Sequence, residues 1–143
     1  MADIVKFSDA TALALHSMVH LASVDASRST TAEIAELFEV SRHHLAKVHQ
    51  RLTRAGLIVS YRGPTGGVRL AKDPAEIKLL EIYEVMEGSM LCKPCLFGKD
   101  VCPRTDCVLG TLLPSLARQV RDYFETTTLA KLAEESNWGK EIK

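Results

Sequence analysis

The stretch LCKPCLFGKDVCPRTDC, residues 91–107, holds all four cysteines of the chain, Cys92, Cys95, Cys102 and Cys107, in a C-x2-C-x6-C-x4-C spacing. Sets of four thiolates bind both two-iron and four-iron sulfur clusters, and they also bind zinc. Structural zinc sites usually place two close cysteine pairs on knuckles, whereas four residues separate Cys102 from Cys107. A metal-free thiol switch, joining Cys92 to Cys95 or Cys102 to Cys107 under oxidation, is a further use. Four inert thiols fit poorly, because a loop rich in Lys, Pro and Gly offers no apolar surroundings in which a buried thiol would rest. The spacing thus favours an iron-sulfur cluster, two-iron or four-iron, with zinc and the thiol switch as alternatives.

Such a loop needs a scaffold. At 143 residues the chain is long enough for one compact core and an extension, with 46% hydrophobic and 25% charged residues, as in ordinary globular proteins. No apolar run approaches the roughly twenty residues of a bilayer span, so no membrane partner is expected. The N-terminus, MADIVKFSDA, lacks the basic and apolar regions of a signal peptide. A cytoplasmic location is therefore expected, where thiols stay reduced and a tight cysteine cluster points to metal or redox chemistry.

Charge is balanced in number, 18 basic against 18 acidic residues, but not in position. From Ser41 to Leu70 stand six basic residues, Arg42, Lys47, Arg51, Arg54, Arg62 and Arg69, with His43, His44 and His49 among them and no Asp or Glu. Repulsion makes a one-sign block costly unless a polyanion offsets it, and double-stranded DNA does so with release of counterions.

Periodicity supplies the elements. Residues 8–24 read as a helix capped by Ser8, with Leu15, Met18, Val19 and Ala22 on one face. Thr30 to Glu33 fits a capping box opening a short helix to Phe38. After a tight connection at Glu39-Val40, Ser41 caps a third helix with Leu45, Val48 and Leu52 inward, ended by Ala55-Gly56. Two short helices so joined are a helix-turn-helix signature. Residues 57–61 and 68–70 alternate as strands around the turn sequence from Arg62 to Gly67, forming a wing. A helix over 80–87 precedes Gly88. After the cysteine loop, a last helix is expected to follow Cys107 at once, carrying Leu109, Leu112, Leu113, Leu116, Val120 and Phe124, with a kink or later start at Pro114. Its apolar stripe has little chain left to pack on, which predicts pairing with a second copy through Leu112, Leu116 and Val120.

In a helix-turn-helix the second helix enters the major groove, so Ser41, Arg42, His43, His44 and Lys47 are the expected base-side residues. Arg42 or Lys47 suits guanine, while Arg51 and Arg54 suit phosphate. Arg62, Gly66 and Arg69 would bring the wing to the duplex. Serine nucleophile elbows, phosphate loops and paired catalytic carboxylates are not recognisable, so no enzyme is expected.

The runs Thr30-Thr31-Ala32-Glu33-Ile34-Ala35, Leu52-Thr53-Arg54-Ala55-Gly56-Leu57-Ile58, Arg62-Gly63-Pro64-Thr65-Gly66-Gly67-Val68-Arg69-Leu70-Ala71 and Glu87-Gly88 resemble the bacterial winged-helix regulators typified by IscR, NsrR, RsrR and CymR, the Rrf-type family. The resemblance spans about Phe7 to Ala133. It implies a homodimer on a pseudo-palindromic operator, with the C-terminal helix crossing at the interface. It also implies an iron-sulfur cluster on three cysteines in many members and none in CymR-like members. Cys95, Cys102 and Cys107 stand at the three cluster positions, and Cys92 is additional. At the fourth-ligand positions the chain departs from the pattern: Gly110 replaces the His of IscR-like members, and Ala12 replaces the helix-one carboxylate of NsrR-like and RsrR-like members. His16 matches the helix-one His of RsrR-like members. Cys92 is the favoured fourth ligand and His16 the alternative.

The expectation is a mainly α chain with a small β-wing. It divides into a winged helix-turn-helix domain over 1–88, a cluster-binding loop over 89–107, and a long dimerisation helix with its tail over 108–143. The expected activity is DNA-binding transcription regulation controlled by the cluster, with redox, nitric oxide or iron status as the signal. A cluster-free thiol-switch or zinc-stabilised regulator of the same fold, or an iron-sulfur or electron carrier, is the alternative.

Overall fold

In the computed structural model, which describes residues 5–23, 29–64, 66–90, 95–97 and 107–136, the elements run α1 (Asp9–Ser23), α2 (Thr31–Leu37), α3 (Arg42–Arg54), β1 (Ile58–Tyr61), β2 (Gly67–Leu70), α4 (Leu79–Glu87), α5 (Leu112–Thr126) and α6 (Leu129–Glu135). The expected mainly helical chain with a two-stranded wing is what forms.

Side-chain oxygens set the helix starts, by accepting from amides that have no partner within the first turn. Ser8 Oγ accepts from the Thr11 amide at 3.2 Å and opens α1. At α2 the capping box is complete: Thr30 Oγ1 accepts from the Glu33 amide at 3.0 Å, and the Glu33 carboxylate accepts from the Thr30 amide at 2.9 Å. Ser41 Oγ accepts from the His44 amide at 3.2 Å, starting α3. Between α2 and α3 the chain reverses through Glu39, whose φ is +54°. The strands pair antiparallel with Ile58 opposite Leu70 and Tyr61 opposite Gly67. Ser29 and Val68 exchange backbone hydrogen bonds of 3.2 and 2.8 Å, which fasten the wing to the residues entering α2.

One apolar core receives every element, with Met18, Ile34, Leu45, Leu52, Ile58, Ile77, Ile82 and Leu129 all fully buried. The inward face of α1 is rotated from the expected one. Thr11, Ala14, Ser17, Met18 and Leu21 are buried, while Leu15, Val19 and Ala22 flank the core half-exposed. The reason is that α3, α4 and α6 all pack on α1, and small residues let several helices approach it.

The C-terminal region differs most from expectation. The last helix does not follow Cys107 at once but starts later, the outcome that Pro114 led to expect. Cys107 accepts from the Gly110 amide at 2.9 Å in a turn, and α5 begins at Leu112. Pro114 therefore falls in the first turn, where its missing N–H costs no helical hydrogen bond. A second helix, α6, follows a break at Thr127-Thr128, with Thr128 Oγ1 accepting from the Lys131 amide at 3.3 Å. The break is pinned by two backbone bonds: the Leu79 amide donates to Thr127 O at 3.1 Å and the Leu129 amide to Ile77 O at 2.8 Å. α6 thereby returns to α1 and packs on the winged domain. Leu113 and Phe124 turn inward, and Phe124 stacks edge-on against Tyr83 with ring centroids 5.7 Å apart.

Glu39 occupies the left-handed region that favours glycine, and a Cβ there costs about 1 kcal/mol or more. Glu39→Gly removes that strain against a smaller entropic loss, so the variant should melt a few degrees higher by scanning calorimetry.

Candidate nucleic-acid interface and cysteine loop

The core residues of α3 define its outer face. Leu45, Val48 and Leu52 are at most 1% exposed, which turns Arg42, His43, His44, Lys47, Arg51 and Arg54 outward with Ser41 at the helix start. On the wing Arg62 and Arg69 are exposed, and the Arg69 guanidinium lies 4.6 Å from the centre of the Tyr61 ring, within cation-π range. Gly66 is there for space: a Cβ would sit 2.6 Å from Tyr61 O and 2.9 Å from Gly63 O. The Gly66 amide donates to Gly63 O at 2.9 Å, closing the wing tip. A groove runs between Thr30 and Thr31, Arg42, and the wing residues Tyr61, Gly63 and Gly66. The exposed side chains of α3 and the wing thus present one basic surface, with the wing tip closed tightly at Gly66.

Two members of the basic block behave otherwise. Arg51 Nη2 donates to the carbonyls of Val85 at 2.8 Å and Met86 at 3.0 Å, in the last turn of α4. His49 is 3% exposed and belongs to the core. One ring nitrogen lies 3.0 Å from Thr31 Oγ1 and the other 3.2 Å from Ser17 Oγ, so the imidazole joins α1, α2 and α3. Burial pushes its pKa down to about 4. No periodicity argument separated His49 from its exposed neighbours except its place between Val48 and Leu52. A further lock was not foreseen. The Glu87 carboxylate accepts from the Ser8 amide at 2.8 Å and from the Thr11 hydroxyl, and these hydrogen bonds hold its pKa below the usual value. It fastens the end of α4 to the start of α1.

Of the cysteines, Cys95 and Cys107 are both half-buried, and Cys92 and Cys102 lie outside the described residues. Among the described residues no three His, Cys, Asp or Glu side chains converge as a metal would require. Gly110 is exposed with φ +62°, and Ala12 is exposed on α1. His16 stands on the same face as Ala12, its Nδ1 2.6 Å from Ala12 O and its ring edge-on to Phe38. Both line a cleft of about 680 Å³ between α1 and the start of α3, where His16 and His44 share the wall. Beyond the loop, Val108, Leu109, Leu112, Leu116 and Tyr123 form an apolar surface, with Val108 83% exposed and Leu112 51%. Val120, expected on that surface, instead packs half-buried against the core. Among the described residues no helix is long and apolar enough to cross a membrane.

This arrangement defines a winged helix-turn-helix protein of the DNA-binding type. Residues 7–135 match the Rrf2 family, described as iron-dependent transcriptional regulators, and the chain belongs to that family. It is 31% identical over 129 residues to a protein of Aquifex aeolicus (strain VF5) assigned to the HTH-type transcriptional regulators, covering 88% of this chain and 90% of the relative. Among solved structures it is similar to CymR, the global cysteine regulator of B. subtilis, at 27% identity and a TM-score of 0.77, over 92% of this chain and 98% of that one. It shares the fold of T. potens IscR at 22% identity and a TM-score of 0.70, over 96% and 93% of the two chains.

The outward side chains should divide by role. Arg42→Ala and Lys47→Ala should each weaken operator binding by roughly 1 to 3 kcal/mol and relax base preference, whereas Arg54→Ala should weaken all sequences alike. Quantitative gel shifts on matched and scrambled duplexes distinguish the two patterns.

The neutral, buried His49 also gives stability a pH dependence. Above the ordinary value of 6.5 the ring is neutral in folded and unfolded chains alike, and its contribution is fully present. As pH falls from 6.5 towards about 4 the unfolded chain takes up the proton first, so stability drops, by about 3 kcal/mol in all. Urea midpoints should fall across this window, and His49→Gln should flatten that part of the profile.

Proposed function

We propose that this regulator binds operator DNA as a cytoplasmic homodimer and that an iron-sulfur cluster on the cysteine loop controls its affinity. The observation that carries the reading is the position of the loop. All four cysteines lie between the end of α4, which packs on the recognition helix, and α5, which bears the exposed apolar surface. The donor set fits: four thiolates suit a cluster, and the two described cysteines are half-buried. Cys92, Cys95, Cys102 and Cys107 would hold the cluster, which would supply a redox-active centre sensitive to oxidants and to iron supply. The chain's own residues do the rest. Arg42, His43, His44 and Lys47 face the duplex from α3, Arg62 and Arg69 face it from the wing, and the surface of Leu109, Leu112, Leu116 and Tyr123 would meet its copy in a second subunit. Pairing there would carry two recognition helices at a separation set by α5.

Anaerobic purification followed by iron, sulfide and zinc analysis and visible absorption tests the proposal. Iron and acid-labile sulfide in comparable amounts are expected, and zinc alone or four reactive thiols without metal would overturn it. Cys92→Ser should lower cluster content or shift the paramagnetic spectrum, and His16→Ala should leave both nearly unchanged. The reverse pattern would transfer the fourth position to His16.

A further inference from the structure

We propose that Arg51 and Arg121 form a polar relay between the cysteine loop and the recognition helix, so that Arg51 serves as a positioning residue for α3. The inference deepens the regulated DNA binding proposed above and rests on it. Both guanidinium groups grip main-chain carbonyls on the short path from α4 to the first cysteine. Arg51 Nη2, from the last turn of α3, donates to Val85 O at 2.8 Å and Met86 O at 3.0 Å. These carbonyls lie in the final turn of α4, where carbonyls have no helical partner and where the helix dipole favours a cation. Two residues past the helix and its terminal Gly88, Met90 is 3% exposed, and its carbonyl accepts from Arg121 Nη1 of α5 at 3.0 Å. Glu125 Oε1, 2.9 Å from Arg121 Nη2, holds that second guanidinium in place.

Cys92 follows Met90 by two positions. A change in the loop that displaces the backbone at Met90 must break the bond to Arg121 or drag the end of α4. The end of α4 is bonded in turn to α3 through Arg51 and to α1 through Glu87, which accepts from Ser8 and Thr11. Each link is a charge-assisted hydrogen bond, stronger and more directional than a neutral one. The planar fork of arginine suits the task because it holds an orientation rather than only a distance. Arg51 therefore gains a role that its place in the basic block had suggested for phosphate.

Thermodynamic reciprocity supplies the test: if the loop biases DNA binding, DNA must bias the loop. The full reduced, metal-free chain is treated with N-ethylmaleimide, with and without a saturating duplex selected by the protein from random sequence. Modification rates at Cys95 and Cys107 are read by mass spectrometry. In the wild type the duplex should change these rates about fivefold. In Arg51→Ala and Arg121→Ala that response should shrink to within about twofold, with Arg51→Lys intermediate and Arg121→Ala keeping wild-type operator affinity. Melting curves confirm that each variant is folded, and Arg51→Gln, which keeps one donor, replaces Arg51→Ala if that variant unfolds. Should the wild type respond while both variants respond equally, the relay is wrong and loop-to-DNA coupling stands. Should Arg51→Ala keep the thiol response and lower the salt slope by about one phosphate, Arg51 is a phosphate ligand and the relay is again wrong. A wild type whose thiols ignore DNA would overturn the relay together with the coupling on which it rests.

Discussion

The helix α3 has no core of its own, and this constraint governs the rest of the molecule. Leu45, Val48 and Leu52 of α3 are buried in the cluster that also takes Met18 of α1 and Ile82 and Met86 of α4. Each such side chain contributes about 1.5 to 3 kcal/mol by leaving water, whereas an exposed ion pair such as Lys72 with Glu81, 3.7 Å apart, contributes at most about 1. Packing therefore decides where α3 points, and α3 cannot turn without α1 and α4. A bundle held this way passes displacement between helices because its interior is too dense to absorb it.

Polar groups then select one arrangement out of those the apolar core would tolerate. His49 satisfies Ser17 and Thr31 at once, fixing the rotation of α3 against α1 and α2. Glu87 fixes the end of α4 against the start of α1, and Arg51 fixes it against α3. Acids are used at helix starts and junctions: Glu33 accepts from the Thr30 amide and Glu81 from the Lys78 amide. The surface of α3 and the wing has no carboxylate of its own. A neutral chain thus carries a strongly basic face, because no Asp or Glu stands between Ser41 and Leu70.

The two faces of α5 differ in what they meet. Leu113, Ala117 and Phe124 join the winged domain, while Leu112 and Leu116 remain outside it. Before the cysteines in sequence, the Met90 carbonyl accepts from Arg121 of α5, and after them comes the same helix with Leu112 and Leu116 exposed.

The local features were legible from residue types. Thr30 with Glu33, Ser41 at its cap, the glycine-rich wing tip and the inward Leu45, Val48 and Leu52 all express rules that act within a few residues, and each formed as read. Family membership was legible for the same reason, since the wing run from Arg62 to Ala71 is contiguous. What the sequence by itself could not determine depends on residues far apart in the chain meeting. His49 and Arg51 read as members of a basic block until Ser17, Thr31, Val85 and Met86 were brought to them. The inward face of α1 depended on three helices packing around it. The break at Thr127 was decided by contacts with the residues around the start of α4, which hold Leu79 against Thr127 and Leu129 against Ile77. Periodicity and caps are properties of neighbouring residues, so the sequence carries them openly. A buried polar partner or a helix returning across the core exists only once the chain has closed, and only the tertiary structure decided those.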